Sequence, residues 1–300
     1  MILTDEVIFF GDQIILFGLK ILCRSTDAIK AMETHRCQTA DMGLSERQFK
    51  ELRELVYHEC GINLHNGKRQ LLQARLSKRL RRTGIKSVQE YLDVLEKDQE
   101  ELIHFLDAVS TNHTLFFRES QHFQVLHSSH RNIWCAACSS GEEPYSVAID
   151  CLEKGFRPSI LATDISTNVL DMARRGVYPR EKTRMMPTHL LRKYFQKGQG
   201  QWEDFIRVKA GVRKMVTFGR FNLVSGPLPS RKFDVIFCRN VLIYFDSRVK
   251  ERVINRLYGL LKGNGYLIIG GAESLSSLRH RFQYMKPSIY RKRGTSGIFH

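Results

Sequence analysis

The feature that most constrains the fold is a rhythm of short apolar runs and helical segments beginning near residue 128. The runs Ile133–Ala137, Ile160–Thr163, Val235–Cys238 and Tyr266–Ile269 are the length of buried strands and too short for helices. Between several of them lie segments with helical spacing: Glu143–Leu152, Val169–Arg175 and Val249–Leu261. Strands joined through helices pair in parallel, and the helices then cover both faces of the sheet. The pattern therefore predicts a mostly parallel α/β sheet, with Ser288–Lys292 as a final strand. Phe195–Phe221 breaks the rhythm. Its Gly198, Gly200 and Gly211 stand among Phe205, Ile206, Val208, Val212, Val216 and Phe218, which predicts a small antiparallel insertion at about 195–221.

The segment from Leu44 to Phe117 reads as all helix. Ser45 with Gln48 is a capping box, Phe49, Leu52, Val56 and Cys60 follow at helical spacing, and Gly61 supplies a stop. Lys68–Arg82 predicts a second helix with Leu72, Leu76 and Leu80 on its inner stripe and Gly84 at its end. Ser87 with Glu90 predicts a second capping box ahead of Tyr91, Leu92, Val94 and Leu95, and Leu102, Phe105, Leu106 and Val109 mark a further helix. Residues 1–40 read as an extension of unknown structure. Their apolar stretch Ile14–Leu22 falls short of a membrane span of about 20 residues, contains Lys20 and lacks a preceding basic region.

The net charge of +16 calls for an acidic partner, and nucleic acid is the first candidate. Its distribution changes that expectation. Residues 1–127 hold 17 Lys and Arg against 18 Asp and Glu, so the excess lies in residues 128–300. Between Lys68 and Lys86, however, eight basic residues occur without an acid. Arg75, Lys78, Arg79 and Arg82 fall on one helical face by spacing. Seven cysteines in a chain large enough to build its own core suit a reducing compartment, hence the cytoplasm.

In a parallel sheet flanked by helices, ligands bind outside the carboxyl ends of the strands. The first strand leads into Cys138-Ser139-Ser140-Gly141-Glu142-Glu143-Pro144, and the second ends in Asp164, placed to accept hydrogen bonds from ribose hydroxyls. A loop with one glycine and two acids repels a pyrophosphate. It disfavours NAD and ATP and favours a positively charged nucleoside, S-adenosylmethionine. An ordinary strand-turn-helix with exposed acids is the alternative at this point.

The segments TNHTLFFRE, WCAACSSGEEPYS, ATDIS, FNL and FDVIFCRNVLIYFD, in this order, resemble the CheR family of chemoreceptor glutamate methyltransferases. The resemblance covers residues 44–292 and leaves 1–40 outside. It implies a class I S-adenosylmethionine-dependent methyltransferase with a Rossmann-like sheet (118–300), an all-helical N-terminal domain (41–117) and the inserted β-subdomain. It also implies that Asn112, Thr114, Arg118, Glu142 or Glu143, Asp164, Asn222, Leu223, Arg239 and Asn240 contact the cofactor. Arg118 and Tyr244 are then the catalytic residues, and no metal is used. The implied reaction forms glutamyl methyl esters on receptor helices for chemotactic adaptation and releases S-adenosylhomocysteine. The basic face of Arg75, Lys78, Arg79 and Arg82 would meet those helices; the β-subdomain, with Trp202 and Phe205, can in that family dock a receptor C-terminal tail, a tether that some members do not use. An RNA methyltransferase is the main competing reading. It lacks support from the Arg239-Asn240-Val241-Leu242 segment, which is not the N/D-P-P-Y/F pattern of base-amino methylation. Cys135-x-x-Cys138 alone is too little for a structural zinc site.

Overall fold

The computed structural model describes residues 44–110 and 112–294. The expectation for residues 1–40 lies outside them. Among the described residues four α-helices come first: α1 (Glu46–Cys60), α2 (Arg69–Thr83), α3 (Val88–Lys97) and α4 (Gln99–Val109). The Ser45–Gln48 capping box forms in both directions, and Gly61, at φ 74°, ends α1 in the left-handed conformation that favours glycine. At α3 only half of the expected box is made, the Glu90 N–H donating to Ser87 Oγ at 3.1 Å. Leu72, Leu76 and Leu80 face the helical core as their spacing requires.

The larger unit is built on a seven-stranded sheet. Its strands are β1 (Asn132–Ala136), β2 (Ser159–Asp164), β6 (Val216–Arg220), β7 (Phe233–Cys238), β8 (Leu261–Ile269), β9 (Gln283–Lys286) and β10 (Ile289–Arg291), in the order β6-β2-β1-β7-β8-β10-β9. The first five are parallel, and β10 and β9 close the edge antiparallel. Residues alternate between two cores. Ile133, Cys135, Val235 and Phe237 join one, with Val147 and Cys151 of α5 (Glu142–Glu153). Trp134, Ala136, Ile236 and Cys238 join the other, with Val249, Val253 and Leu257 of α9 (Ser247–Leu260). Burial on both faces is why these strands read as unbroken apolar runs. No helix among the described residues is long and apolar enough to cross a membrane.

The antiparallel insertion exists but is displaced from the expected 195–221. It is a three-stranded sheet of β3 (Val177–Pro179), β5 (Phe205–Val208) and β4 (Phe195–Lys197), in that order. Val212 belongs to a short helix, and Val216 and Phe218 lie in β6, paired in parallel with β2. A five-residue edge strand directly after a glycine-rich hairpin carries the same local signal as another hairpin strand; only its partner distinguishes them.

The helical domain is fastened to the sheet by polar ties. Asp107 accepts from Thr167 N–H at 3.0 Å and Asn168 N–H at 3.2 Å at the start of α6 (Thr167–Arg175). Tyr57 donates to Asp246 at 2.7 Å, and the Asn63 N–H donates to the Tyr244 carbonyl at 2.8 Å.

The expected basic face of α2 is corrected by its burial. Arg79 is 7% exposed and donates from Nε to Glu101 at 3.0 Å, within a cluster completed by Tyr91. Arg75 is half-buried and donates to the Val109 and Ser110 carbonyls. Lys78 and Arg82 remain exposed. Helical spacing placed four cations together, but Leu80 and Leu76 turn the Arg79 side of that face inward. Arg79→Met leaves a buried carboxylate unpaired and is expected to cost about 3 kcal/mol, whereas Lys78→Met should change stability by less than about 0.5 kcal/mol. Urea unfolding of both variants checks the contrast; equal effects would contradict it.

Candidate active site

The carboxyl ends of β1, β2 and β7 open into a cleft with about 1200 Å³ of empty space, mouth included. The helical domain and the connecting segment 112–118 form its other wall. Two glycine-independent bends shape the floor. Ala137 and Ser139 after β1 hold φ values of 69° and 49°, and Asn240 after β7 holds 58°. Phe117 and Glu119, at 56° and 51°, do the same in the connecting segment. Left-handed conformations cost energy in such residues and concentrate where a structure needs an unusual backbone path. Here that path brings the Ser139 N–H to Asp164 at 2.8 Å and the Asn240 N–H to Glu273 at 3.0 Å.

Two carboxylates supply its charge. Asp164 is 7% exposed and accepts from the Ser139 N–H at 2.8 Å and the Ser166 N–H at 3.0 Å. Burial raises its pKa, and these backbone donors oppose the shift. Glu143 lines the cleft and receives Arg239 Nη1 at 3.0 Å. Its pKa is also raised by burial, against the pull of Arg239.

Glu142 does not line the cleft. It is fully buried, accepts from Ser140 Oγ at 2.7 Å and lies 3.1 Å from Lys182 Nζ. Thus Glu143, and not Glu142, is the acid of the first loop that faces the cleft. Gly141, at φ 94°, does not face the cleft either. A Cβ there would stand 2.8 Å from Ala173 Cβ and 2.9 Å from Tyr178 Oη, so the glycine permits close packing of the loop.

The remaining expected residues converge. Asn112, Thr114, Arg118, Asn222, Leu223, Arg239, Asn240 and Tyr244 all line the cleft. Their side chains differ in freedom. Asn222 donates to the Glu59 carbonyl at 2.6 Å and accepts from the Val224 N–H at 2.9 Å, so its amide shapes the turn. Arg239 donates to Glu143, to Glu119 at 3.1 Å and to the Arg118 carbonyl at 2.6 Å. Arg118 keeps a half-exposed guanidinium, 3.3 Å from the His113 carbonyl. The exposed Lys78 and Arg82 of α2 are not among the lining residues.

Sequence reasoning missed Glu119 and Lys182. Glu119 accepts from the Gly271 N–H at 3.0 Å besides Arg239. Lys182 donates to the Thr114 carbonyl at 2.9 Å while paired with Glu142, bracing the connecting segment against the first loop. Glu119 ends a quoted motif and was legible there; Lys182 carries no local signal. Burial pushes the thiols of Cys135 and Cys138 well above their ordinary range, which suppresses the thiolate that redox exchange and zinc ligation require.

A parallel sheet with this strand order, a carboxylate ending β2 and an acidic rather than glycine-rich first loop define a class I S-adenosylmethionine-dependent methyltransferase. The donor set fits that cofactor: Asp164 suits a ribose diol, and Glu143 a positively charged nucleoside. Residues 112–291 match the CheR methyltransferase SAM-binding domain, and residues 47–110 match the CheR methyltransferase all-alpha domain. The chain belongs to the CheR methyltransferase family. It is 38% identical over 276 residues to a chemotaxis protein methyltransferase of Borreliella burgdorferi, covering 84% of this chain and 96% of that protein. It is 37% identical over 270 residues to the chemotaxis protein methyltransferase of Escherichia coli, covering 84% and 93%.

Arg239→Met is expected to cost about 3 kcal/mol near neutral pH, because Glu143 and Glu119 lose their shared cation. Glu143, whose pKa burial already raises, opposes folding once ionised and not when protonated. The deficit should therefore shrink on acidification toward and below the upper carboxylate range. Urea unfolding at pH 5 and pH 7.5 measures it; an equal deficit at both would refute the account.

Proposed function

We propose that this enzyme methylates glutamate side chains on the cytoplasmic helical domain of membrane chemoreceptors. The observation that carries the reading is the convergence of Arg118 and Tyr244 on the cleft that Glu143 and Asp164 enter, in a chain of the CheR family. S-adenosylmethionine, when bound, supplies an activated methyl group. Asp164 would hold the ribose, Glu143 the positively charged end, and Asn222 and Leu223 would flank the base through the turn that the Asn222 amide shapes. Asn112 and Thr114 would close the cofactor from the connecting segment, and Asn240 from the end of β7.

A glutamate carboxylate is already ionised at neutral pH, so no strong general base is needed. The task of the chain is to hold that oxygen in line. Arg118 is half-exposed and available for a bidentate contact with a carboxylate. Tyr244 is half-buried at the same cleft, and its hydroxyl would donate a hydrogen bond to the substrate. Lys78 and Arg82 are the members of the α2 basic set with exposed charge, and they favour an acidic helix as partner.

The division at about residue 117 would then separate a receptor-facing helical unit from the catalytic one. The three-stranded sheet would dock a receptor's C-terminal tail, with Trp202 packed edge-on to Phe205 at 5.4 Å as its aromatic contact. A cytoplasmic location follows from that substrate.

Incubation with tritiated S-adenosylmethionine and chemoreceptor-bearing membranes should give alkali-labile label released as methanol. Label found only on added RNA would overturn the reading. Asp164→Asn should weaken cofactor binding by about tenfold or more, read by calorimetry; unchanged affinity would remove Asp164 from the site.

A further inference from the structure

The turn that follows β7 carries Asn240 and Tyr244, and its backbone is irregular. Asn240 is left-handed, at φ 58°. The single helical turn Leu242–Tyr244 comes next, with the Tyr244 N–H donating to the Val241 carbonyl at 3.1 Å. A turn this short leaves its first N–H groups without acceptors of their own. A side chain from another segment supplies one. Glu273, in the turn after β8, is 9% exposed and accepts from three backbone donors. Its Oε2 receives the Asn240 N–H at 3.0 Å and the Gly270 N–H at 2.6 Å, and its Oε1 receives the Ile243 N–H at 3.2 Å.

Glu273 is itself held from behind. Its N–H donates to the Gly270 carbonyl at 3.0 Å, and the N–H of the fully buried Leu275 donates to Tyr290 Oη at 3.2 Å. A Cβ on Gly270 would stand 2.5 Å from Asn240 Nδ2, so the two turns pack in direct contact. On the other side, the Tyr244 carbonyl accepts from the Asn63 N–H of the helical domain at 2.8 Å. Glu273 is not among the residues lining the cleft, whereas Asn240 and Tyr244 are. An acid that shapes a site without entering it acts through the residues it fixes.

We propose that Glu273 is the positioning residue of Tyr244: its carboxylate sets the turn that holds the phenol at the cleft. This rests on the receptor-glutamate reading, in which Tyr244 guides the substrate, and names what keeps that tyrosine in place. The two carboxylate oxygens divide the work. Oε2 serves the end of the turn at Asn240, and Oε1 the end at Tyr244. Methyl transfer needs the attacking oxygen and the methyl group in line, and a misplacement of about 1 Å costs on the order of a hundredfold in rate.

That division defines the test. Glu273→Gln keeps one acceptor oxygen and puts an NH2 where the other stood. Two donors converge on Oε2, so the amide oxygen stays with them and the NH2 faces the Ile243 N–H. The Tyr244 end is loosened and the Asn240 end kept. Receptor methylation by Glu273→Gln should show kcat lowered about tenfold or more, with cofactor affinity, read by calorimetry, within error of the wild type. In a Tyr244→Phe background the same substitution should lower kcat no further. Amide hydrogen exchange at Asn240 and Ile243 should be slow in the wild type, and faster at Ile243 in Glu273→Gln. A folded Glu273→Gln enzyme with wild-type kcat overturns the assignment. So does an equal loss in the Tyr244→Phe background, the result of a merely structural role. Fast exchange of both amides in the wild type overturns it without any variant. Failure of the wild-type enzyme to label receptor overturns the parent reading and the rate effect with it, while the exchange measurement still decides whether Glu273 holds the turn.

Discussion

The site depends on one buried guanidinium. Arg239 leaves the end of β7 with its side chain 2% exposed and reaches two segments that are distant in sequence. It pairs with Glu143 in the first turn of α5, with Glu119 in the connecting segment, and with the Arg118 carbonyl. Glu119 extends the bridge to the Gly271 N–H after β8. Two carboxylates near one another would raise each other's pKa and resist burial; a shared cation keeps the pair tolerable. Burial and Arg239 act oppositely on both acids, and the balance differs. Glu119 ends below its ordinary range through Arg239 despite burial, whereas Glu143, more deeply placed, ends above. Arg239 therefore builds the acidic wall of the cleft and fixes the backbone that presents Arg118.

The helical domain is part of the same construction. Its α4 supplies Asp107 as a cap for α6, and its α1 end accepts the Asn222 amide through the Glu59 carbonyl. A Cβ on Gly61 would stand 2.8 Å from both Val224 and Val249, so α1 ends in direct packing against the catalytic unit. Lys68 and Leu71 face the cleft because of this seating. The face of α2 that matters for the site is thus set by docking, one turn of helix away from the cations that simple spacing singled out.

That difference marks what was legible in the sequence. The parallel sheet was, because strands buried on both faces write themselves as apolar runs. The convergence of Arg118, Asp164, Arg239 and Tyr244 was legible only through a family resemblance, since nothing local relates residues that lie on separate elements. The roles of Glu142 and Glu143 were not separable, because adjacent residues at a helix start point in different directions by about 100°. The helix buries one against Lys182 and turns the other to the cleft. Lys182 itself lies between β3 and β4 of the small sheet, where position in the chain says nothing of its partner.

Contacts of this internal kind occupy part of the positive charge. Several basic side chains among the described residues donate to backbone carbonyls. Lys292 donates to the Tyr258 and Leu261 carbonyls at 2.9 and 2.7 Å, Lys232 to Gly259, Arg256 to Gly226, and Lys154 to Phe123 at 2.6 Å. Such groups stabilise the negative end of a helix and satisfy acceptors that water would otherwise fill. Several acids, meanwhile, are buried: Glu101, Asp107, Glu142, Asp164 and Glu273. A surface with its acids withdrawn and its cations serving as caps is basic for reasons internal to the fold. Net charge is then a weak guide to the partner.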